Sequence, residues 1–185
     1  MTGQAEIADR RSFNPWRLAL WGTLAVLLAL PAVAMRLGVE GVVWTASDFL
    51  LMGGLAVATG LMLELAVRMS RNRAARAAAG VAILAGFLTI WINLAVGMVG
   101  SEDNPYNLMF AIPLAVAVAG AFLNRHRPAG MAGAMFAAAI VEAAVGLVGL
   151  GEDPRGGFLS GGFALFWLLS AWLFRKAARN GEKAV

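Results

Sequence analysis

Seven oxygen-bearing side chains stand in or beside long apolar runs: Asp48, Asn93, Glu102, Asp103, Asn104, Asn107 and Glu142. Carboxylates and amide oxygens are hard donors, suited to a small cation, a proton relay or a small polar solute. The densest group lies in WINLAVGMVGSEDNPYNLMF, Trp91 to Phe110, where a polar knot interrupts two apolar segments. Crossing a bilayer does not require such a knot, and ionisable groups within membrane segments are costly enough to be functional candidates by default.

Each of these groups also has a structural reading. Asp48 follows Trp44-Thr45-Ala46-Ser47. It can be a first-turn acid favoured by the helix dipole, with Thr45 or Ser47 as the cap. Asn93 can hydrogen-bond a neighbouring helix, and Ser101 to Pro105 can be a solvated turn capping the next helix. Glu142 has only apolar sequence neighbours, so a carboxyl at that depth needs a partner or a proton. Glu64 is followed by Arg68 at i+4 and Arg71 at i+7, the spacing of a local ion pair.

The elements that must position these groups follow from composition. The 185 residues are 60% hydrophobic and 14% charged, too little polar surface for a soluble domain of this size. Six apolar runs are each about the length that crosses a bilayer: Trp16–Met35, Trp44–Val67, Ala77–Val99, Tyr106–Leu123, Ala129–Leu150 and Phe158–Phe174. None alternates with period two, which favours helices over a barrel. The expected fold is all-α: a polytopic membrane protein with a six-transmembrane-helix bundle as a single domain over residues 15–176. A cytoplasmic segment over 1–14 and a tail over 177–185 flank it. Pro31 and Pro113 are expected to kink the first and fourth helices.

Charge sets the orientation. The Lys and Arg residues gather in the N-terminal arm, the Arg68–Arg76 turn, the Arg125–Arg127 loop and the Arg175–Lys183 tail, leaving only Arg36 and Arg155 on the other side. The positive-inside rule then places both termini in the cytoplasm. The high isoelectric point reflects these anchors, which can touch anionic headgroups, and no nucleic-acid partner is expected. Arg10, Arg11 and Arg17, the apolar run and Ala32-Val33-Ala34 resemble a cleavable signal peptide. The run exceeds a usual signal core, so a retained first helix is expected.

Helix rise puts Asn93 about 9 Å below Val99, and Glu142 at a similar depth below Gly149. Asp48, Asn93 and Glu142 are therefore expected to line one periplasm-facing cleft, with Glu102, Asp103, Asn104 and Asn107 at its rim. A six-residue echo at an offset of 49 residues relates Ala95–Gly100 to Ala144–Gly149 and pairs Asn93 with Glu142 and Pro105 with Pro154. It points to two related hairpins, or to coincidence in a sequence rich in Ala, Gly and Val. Small residues at Gly53, Ala56 and Gly60, at Gly130 to Ala138, and at Gly157, Gly161 and Gly162 mark faces where backbones can approach.

Several chemistries are excluded. The chain has no Cys, which removes disulfides, thiolate catalysis and iron–sulfur ligation. Its single His, His126, lies in the loop NRHRP, so no intramembrane Ser/His pair and no HExxH motif exist. No cofactor is expected, and no complete catalytic signature appears.

WTASDF (Trp44 to Phe49), NLAVGMVGSEDNPYNLMF (Asn93 to Phe110) and SAWLFRKAA (Ser170 to Ala178) resemble an uncharacterised family of short bacterial six-helix inner-membrane proteins. The resemblance spans nearly the whole chain. It implies a bacterial inner membrane and a six-helix bundle, and no reaction, because the family carries no established activity. The leading expectation is a membrane protein that binds or moves a small cation, proton or polar solute through the acidic cleft, with the lipid bilayer and a homodimer or membrane-protein partner around it. Two alternatives stand beside it. One is a non-catalytic accessory subunit or sensor that binds a partner through the SEDNP loop. The other is a carboxylate-dependent lipid-acting enzyme.

Overall fold

A computed structural model describes residues 14–124 and 127–182. His126 lies outside the described residues, as do Arg10, Arg11, Arg125 and Lys183. The described chain is helical: α1 (Pro15–Arg36), α2 (Ala46–Met69), α3 (Arg73–Ala95), a 3-10 turn (Pro105–Phe110), α4 (Ala111–Asn124), α5 (Pro128–Gly149) and α6 (Pro154–Glu182). All six spans are long and apolar enough to cross a membrane, which makes the chain a multi-pass membrane protein.

Local chemistry starts the helices. Pro occupies the first position of α1, α5 and α6, where its missing N–H costs nothing. Asn72 caps α3 by accepting from the backbone N–H of Ala74 and Ala75. The fourth span departs from a uniform helix. Residues 105–110 form the 3-10 turn, and Pro113 then falls in the first turn of α4. The ring therefore sits where the 3-10 turn passes into the α-helix, near the start of α4, rather than in a helix interior.

The third span also ends earlier than its apolar run. The run reaches Val99, but α3 stops at Ala95. Gly97 and Gly100 adopt left-handed φ angles of 77° and 74°, which turn the chain off the helix axis. The matching glycines, Gly146 and Gly149, stay inside α5. The 49-residue echo therefore does not produce two equivalent hairpins. It survives only as a capping device, because Asn104-Pro105 opens the 3-10 turn and Asp153-Pro154 opens α6.

Contacts gather the chain into two compact units, residues 1–64 and 65–185. In the first, α1 docks on α2 through Trp21. A Cβ on Gly60 would come 2.8 Å from the Trp21 ring, so the small residue makes the seat for the indole.

In the second unit α6 packs between α3 and α5, and α5 also packs on α4. α3 and α6 run antiparallel. The Asn72 amide donates to the Ala177 carbonyl and Ser170 Oγ to the Ala78 carbonyl. α5 and α6 are antiparallel too, and their backbones close at Gly146 and Gly157, where a Cβ on Gly146 would meet the Gly157 carbonyl at 3.1 Å. One end of this unit bears Glu102, Asp103, Glu152 and Asp153 (the acidic end), and the other bears Arg73, Arg76, Arg127 and Arg175 (the basic end). The larger core is alanine-rich: Ala75, Ala78, Ala85, Ala138 and Ala139 surround Trp167, Phe174 and Met135. A smaller cluster of Met98, Val99, Phe110, Val145 and Phe163 fills the acidic end.

Candidate functional site: a buried carboxyl in the α3–α5–α6 core

Glu142 is fully buried on α5. Ser160 on α6 lies opposite, with Oγ 3.1 Å from the Glu142 backbone carbonyl and 3.4 Å from Oε1. A hydroxyl has one proton, so it serves one acceptor or is shared between two. Glu142 Oε2 has no hydrogen-bond partner. The antiparallel registers set Thr89 of α3 and Ser160 of α6 at the level of Glu142, one turn beyond Ala85 in the stripe that faces α6. Thr89 is also fully buried, and its Oγ1 is unpartnered.

Trp167 completes the cluster. It starts two turns closer to the basic end than Ser160, but side chains on a helix lean toward its N-terminus. The lean carries the indole beside the Glu142 carboxyl, where Nε1–H completes no hydrogen bond. Burying polar groups in apolar surroundings without partners costs free energy. Glu142, Thr89 and Trp167 each carry that cost in the same core.

Among the described residues of the second unit, no other carboxylate or base lies along these helix spans. α3 beyond Arg76, all of α4, the rest of α5, and α6 from Gly156 to Phe174 contain no Asp, Glu, His, Lys or Arg. Among the described residues no group of three His, Cys, Asp or Glu gathers that could hold a metal ion. The groups flanking the carboxyl, a hydroxyl and an indole N–H, can both donate.

The remaining sequence candidates take other places. Asp48 belongs to the first unit, Asn93 and Glu142 to the second. Asp48 Oδ2 accepts from the Thr45 backbone N–H at 2.7 Å and from Thr45 Oγ1 at 2.8 Å. This is a helix-starting box at the head of α2. Asn93 falls in the last turn of α3, so its depth cannot be counted down from Val99. Its Nδ2 donates to the Thr89 carbonyl at 2.7 Å, while Oδ1 is buried and unpartnered.

Asn107 was expected at a rim and is instead a buried clasp. Its Oδ1 accepts from the N–H groups of Met98 and Val99 at 3.1 and 2.9 Å. Its Nδ2 donates to the carbonyls of Val99 and Ser101 at 3.3 and 2.7 Å. That exhausts the amide's hydrogen-bonding capacity within the 96–104 loop. Asn104 accepts from the Tyr106 N–H. Glu102 and Asp103 are exposed at the loop's tip.

Sequence reasoning passed over three further residues, Asp153, Arg17 and Trp21. Asp153 spans two elements: Oδ1 caps α6 at the Arg155 N–H, and Oδ2 accepts from the Gly100 N–H at 3.2 Å. These backbone donors, Gly100 first and then Arg155, hold the Asp153 carboxyl below the usual aspartate range. In the first unit Arg17 grips Glu64 with Nε at 2.9 Å and Nη2 at 2.6 Å, and Trp21 Nε1 adds a third bond at 2.9 Å. The i+4 spacing to Arg68 had pointed to a local pair and gave no sign of this cross-helix fork. Arg17 and Trp21, themselves four apart on one face, were the available signal.

A separate cavity of about 280 Å³ lies along the basic end of α6, lined by Trp172, Lys176, Arg179 and Asn180. Its charges are cationic, and the candidate acids lie elsewhere. Comparison with protein-family models, with curated proteins and with solved structures gives no match.

Proposed function

We propose that the chain is a bacterial inner-membrane protein, both termini cytoplasmic, that binds and releases a proton at Glu142 as part of moving protons or a coupled small cation. One observation carries the reading. Glu142 is fully buried among apolar helix faces with Oε2 unpartnered, and among the described residues of the second unit it is the sole ionisable side chain at that depth. An intramembrane carboxyl is expensive, and no ion pair in this core offsets it. A hydroxyl and an indole N–H beside it favour a site that takes up and returns a proton over one built to ligate a bare cation.

This reading narrows the expected acidic cleft to one carboxyl. Asp48 Oδ2 is engaged by Thr45 and Asn107 Oδ1 by the N–H groups of Met98 and Val99. Reconstitution in liposomes with an imposed pH gradient tests it. The wild-type protein should dissipate the gradient and Glu142→Gln should not, while remaining folded by helical circular dichroism. Equal dissipation by the two proteins overturns the proposal.

One observation favours a second reading, the accessory subunit. Glu102 and Asp103 project from a loop whose frame is fixed by Asn107 and Asp153, and a fixed acidic tip suits recognition of a basic partner. Loss of a co-purifying membrane partner on Glu102→Lys with Asp103→Lys, at unchanged stability, supports that reading.

A further inference from the structure

We infer that the 96–104 loop is the lid through which Glu142 exchanges its proton, with Met98 and Val99 as the plug, Gly97 and Gly100 as hinges, and Asn107 and Asp153 as latches. The inference rests on the proton-binding reading of Glu142 and adds the route. Two barriers separate Glu142 from water, and they differ in kind. Toward the basic end the barrier runs from Glu142 to Pro128, about 21 Å at the rise of a helix. It is built from helix side chains alone, from Ala138 and Trp167 down to Ala177 and Phe174. Opening it means separating α3, α5 and α6. Toward the acidic end only about 10 Å of α5 remains before Gly149. The cluster that fills this distance includes Met98 and Val99, which belong to no helix.

The loop is therefore both wall and movable part. Met98 and Val99 are 2% and 0% exposed, yet Gly97 and Gly100, left-handed glycines that bracket them, can rotate at little steric cost. Swinging this pair out removes two of the five buried residues of the cluster at the acidic end and leaves the helices in place. The latches act on the same segment from two sides. Asn107 clasps it from below, and Asp153, at the head of α6, takes the Gly100 N–H. Behind the plug, the unpartnered Asn93 Oδ1 and Thr89 Oγ1 lie one helical turn apart on α3, the second of them level with Glu142. They offer polar stations to entering water.

The ionisable groups facing the route are few. α3 beyond Arg76, α4, and α6 from Gly156 to Phe174 carry none. Tyr106 faces α5 one turn nearer the acidic end, its hydroxyl donating to the Val145 carbonyl. Glu102 and Asp103 on the lid, and Glu152, Asp153 and Arg155 beside it, stand at the acidic end itself. A proton arriving there meets no charged group between the lid and Glu142.

The chain has no Cys, so a designed pair reports on one site alone. A Cβ on Gly149 would lie 3.1 Å from Val99 Cγ2, close enough for Val99→Cys with Gly149→Cys to bridge the lid to α5. A second pair, Asn72→Cys with Ala177→Cys, serves as the basic-end control once loss of free thiols shows that it has bridged; the Asn72 amide bonds the Ala177 carbonyl at 3.2 Å and brings the two residues together. The readout is the rate at which the Glu142 carboxyl infrared band responds to a pH jump, assigned by its loss in Glu142→Gln. Oxidising the lid pair should slow the response by about tenfold or more, with recovery on reduction, because exchange then awaits rarer openings. Oxidising the basic-end pair should leave it unchanged. A response untouched by the lid bridge, or slowed only by the basic-end bridge, overturns the lid and leaves the proton site standing. A wild-type protein with no titrating Glu142 band overturns both.

Discussion

Replacing Asn107 with Ala isolates what holds the 96–104 loop in place. The substitution removes one acceptor from two backbone donors, Met98 N–H and Val99 N–H, and two donors from the carbonyls of Val99 and Ser101. Met98 and Val99 are almost wholly buried, so their N–H groups find no ready substitute. A buried donor left unpaired costs roughly 1–3 kcal/mol, so the two together cost about 2–6 kcal/mol. The carbonyls add less, since Ser101 is exposed and can turn to water. Taking the low end, opening of the loop becomes about 30-fold more frequent, and amide hydrogen exchange at Met98 and Val99 accelerates by that factor. Asn107→Asp keeps the acceptor and loses both donors, so it should fall between wild type and Ala. Hydrogen–deuterium exchange followed by mass spectrometry in detergent or nanodiscs reads the effect on peptides covering 96–104. Acceleration of less than about twofold, below the smallest net worth of a single such bond, would show that the clasp does not hold the loop.

Four further outcomes follow from other contacts. Gly97→Ala puts a Cβ against the Ser101 carbonyl group at a left-handed φ, so it should destabilise the loop by about 1–3 kcal/mol, read as a lower thermal midpoint, while Gly146→Ala should fail by collision with Ser160 instead. Gly60→Leu should expel the Trp21 indole from its seat and cost the first unit its Trp21–Glu64 hydrogen bond, seen as a red shift of tryptophan emission relative to a Trp21→Phe control. The Asp153 latch should depend on pH. Its folded carboxyl sits below the ordinary aspartate value, so its stabilisation is fully present above that value and is lost as pH falls through the depressed one. Exchange at Gly100 should therefore show an added acid-side rise in wild type that Asp153→Asn lacks.

Part of this could be read directly from the sequence, and the missing parts share a cause. Composition and run length identify six spans because a bilayer imposes one length and one polarity on every crossing. Asp48 was legible as a helix-start acid because its partner Thr45 is three residues away. Glu142 stood out because a carboxyl in an apolar run is rare. The end of α3 was not legible. AVGMVG and AVGLVG are nearly the same words, yet the first leaves the helix because Asn107, eight and nine residues later, supplies the hydrogen bonds that let it. The Arg17–Glu64 fork joins residues 47 apart, and Trp167 reaches Glu142 only through the pairing of α5 and α6. Partners fixed by tertiary register leave no periodic trace in a single chain.

The central claim is that Glu142 takes up and releases a proton within the membrane-spanning core, and infrared titration of its carboxyl reads that most directly. Difference spectra of the reconstituted protein across a pH series should show a protonated-carboxyl C=O band that disappears as pH rises and is absent from Glu142→Gln. Persistence of the same titrating band in Glu142→Gln, or its complete absence from the wild-type protein, would contradict the account.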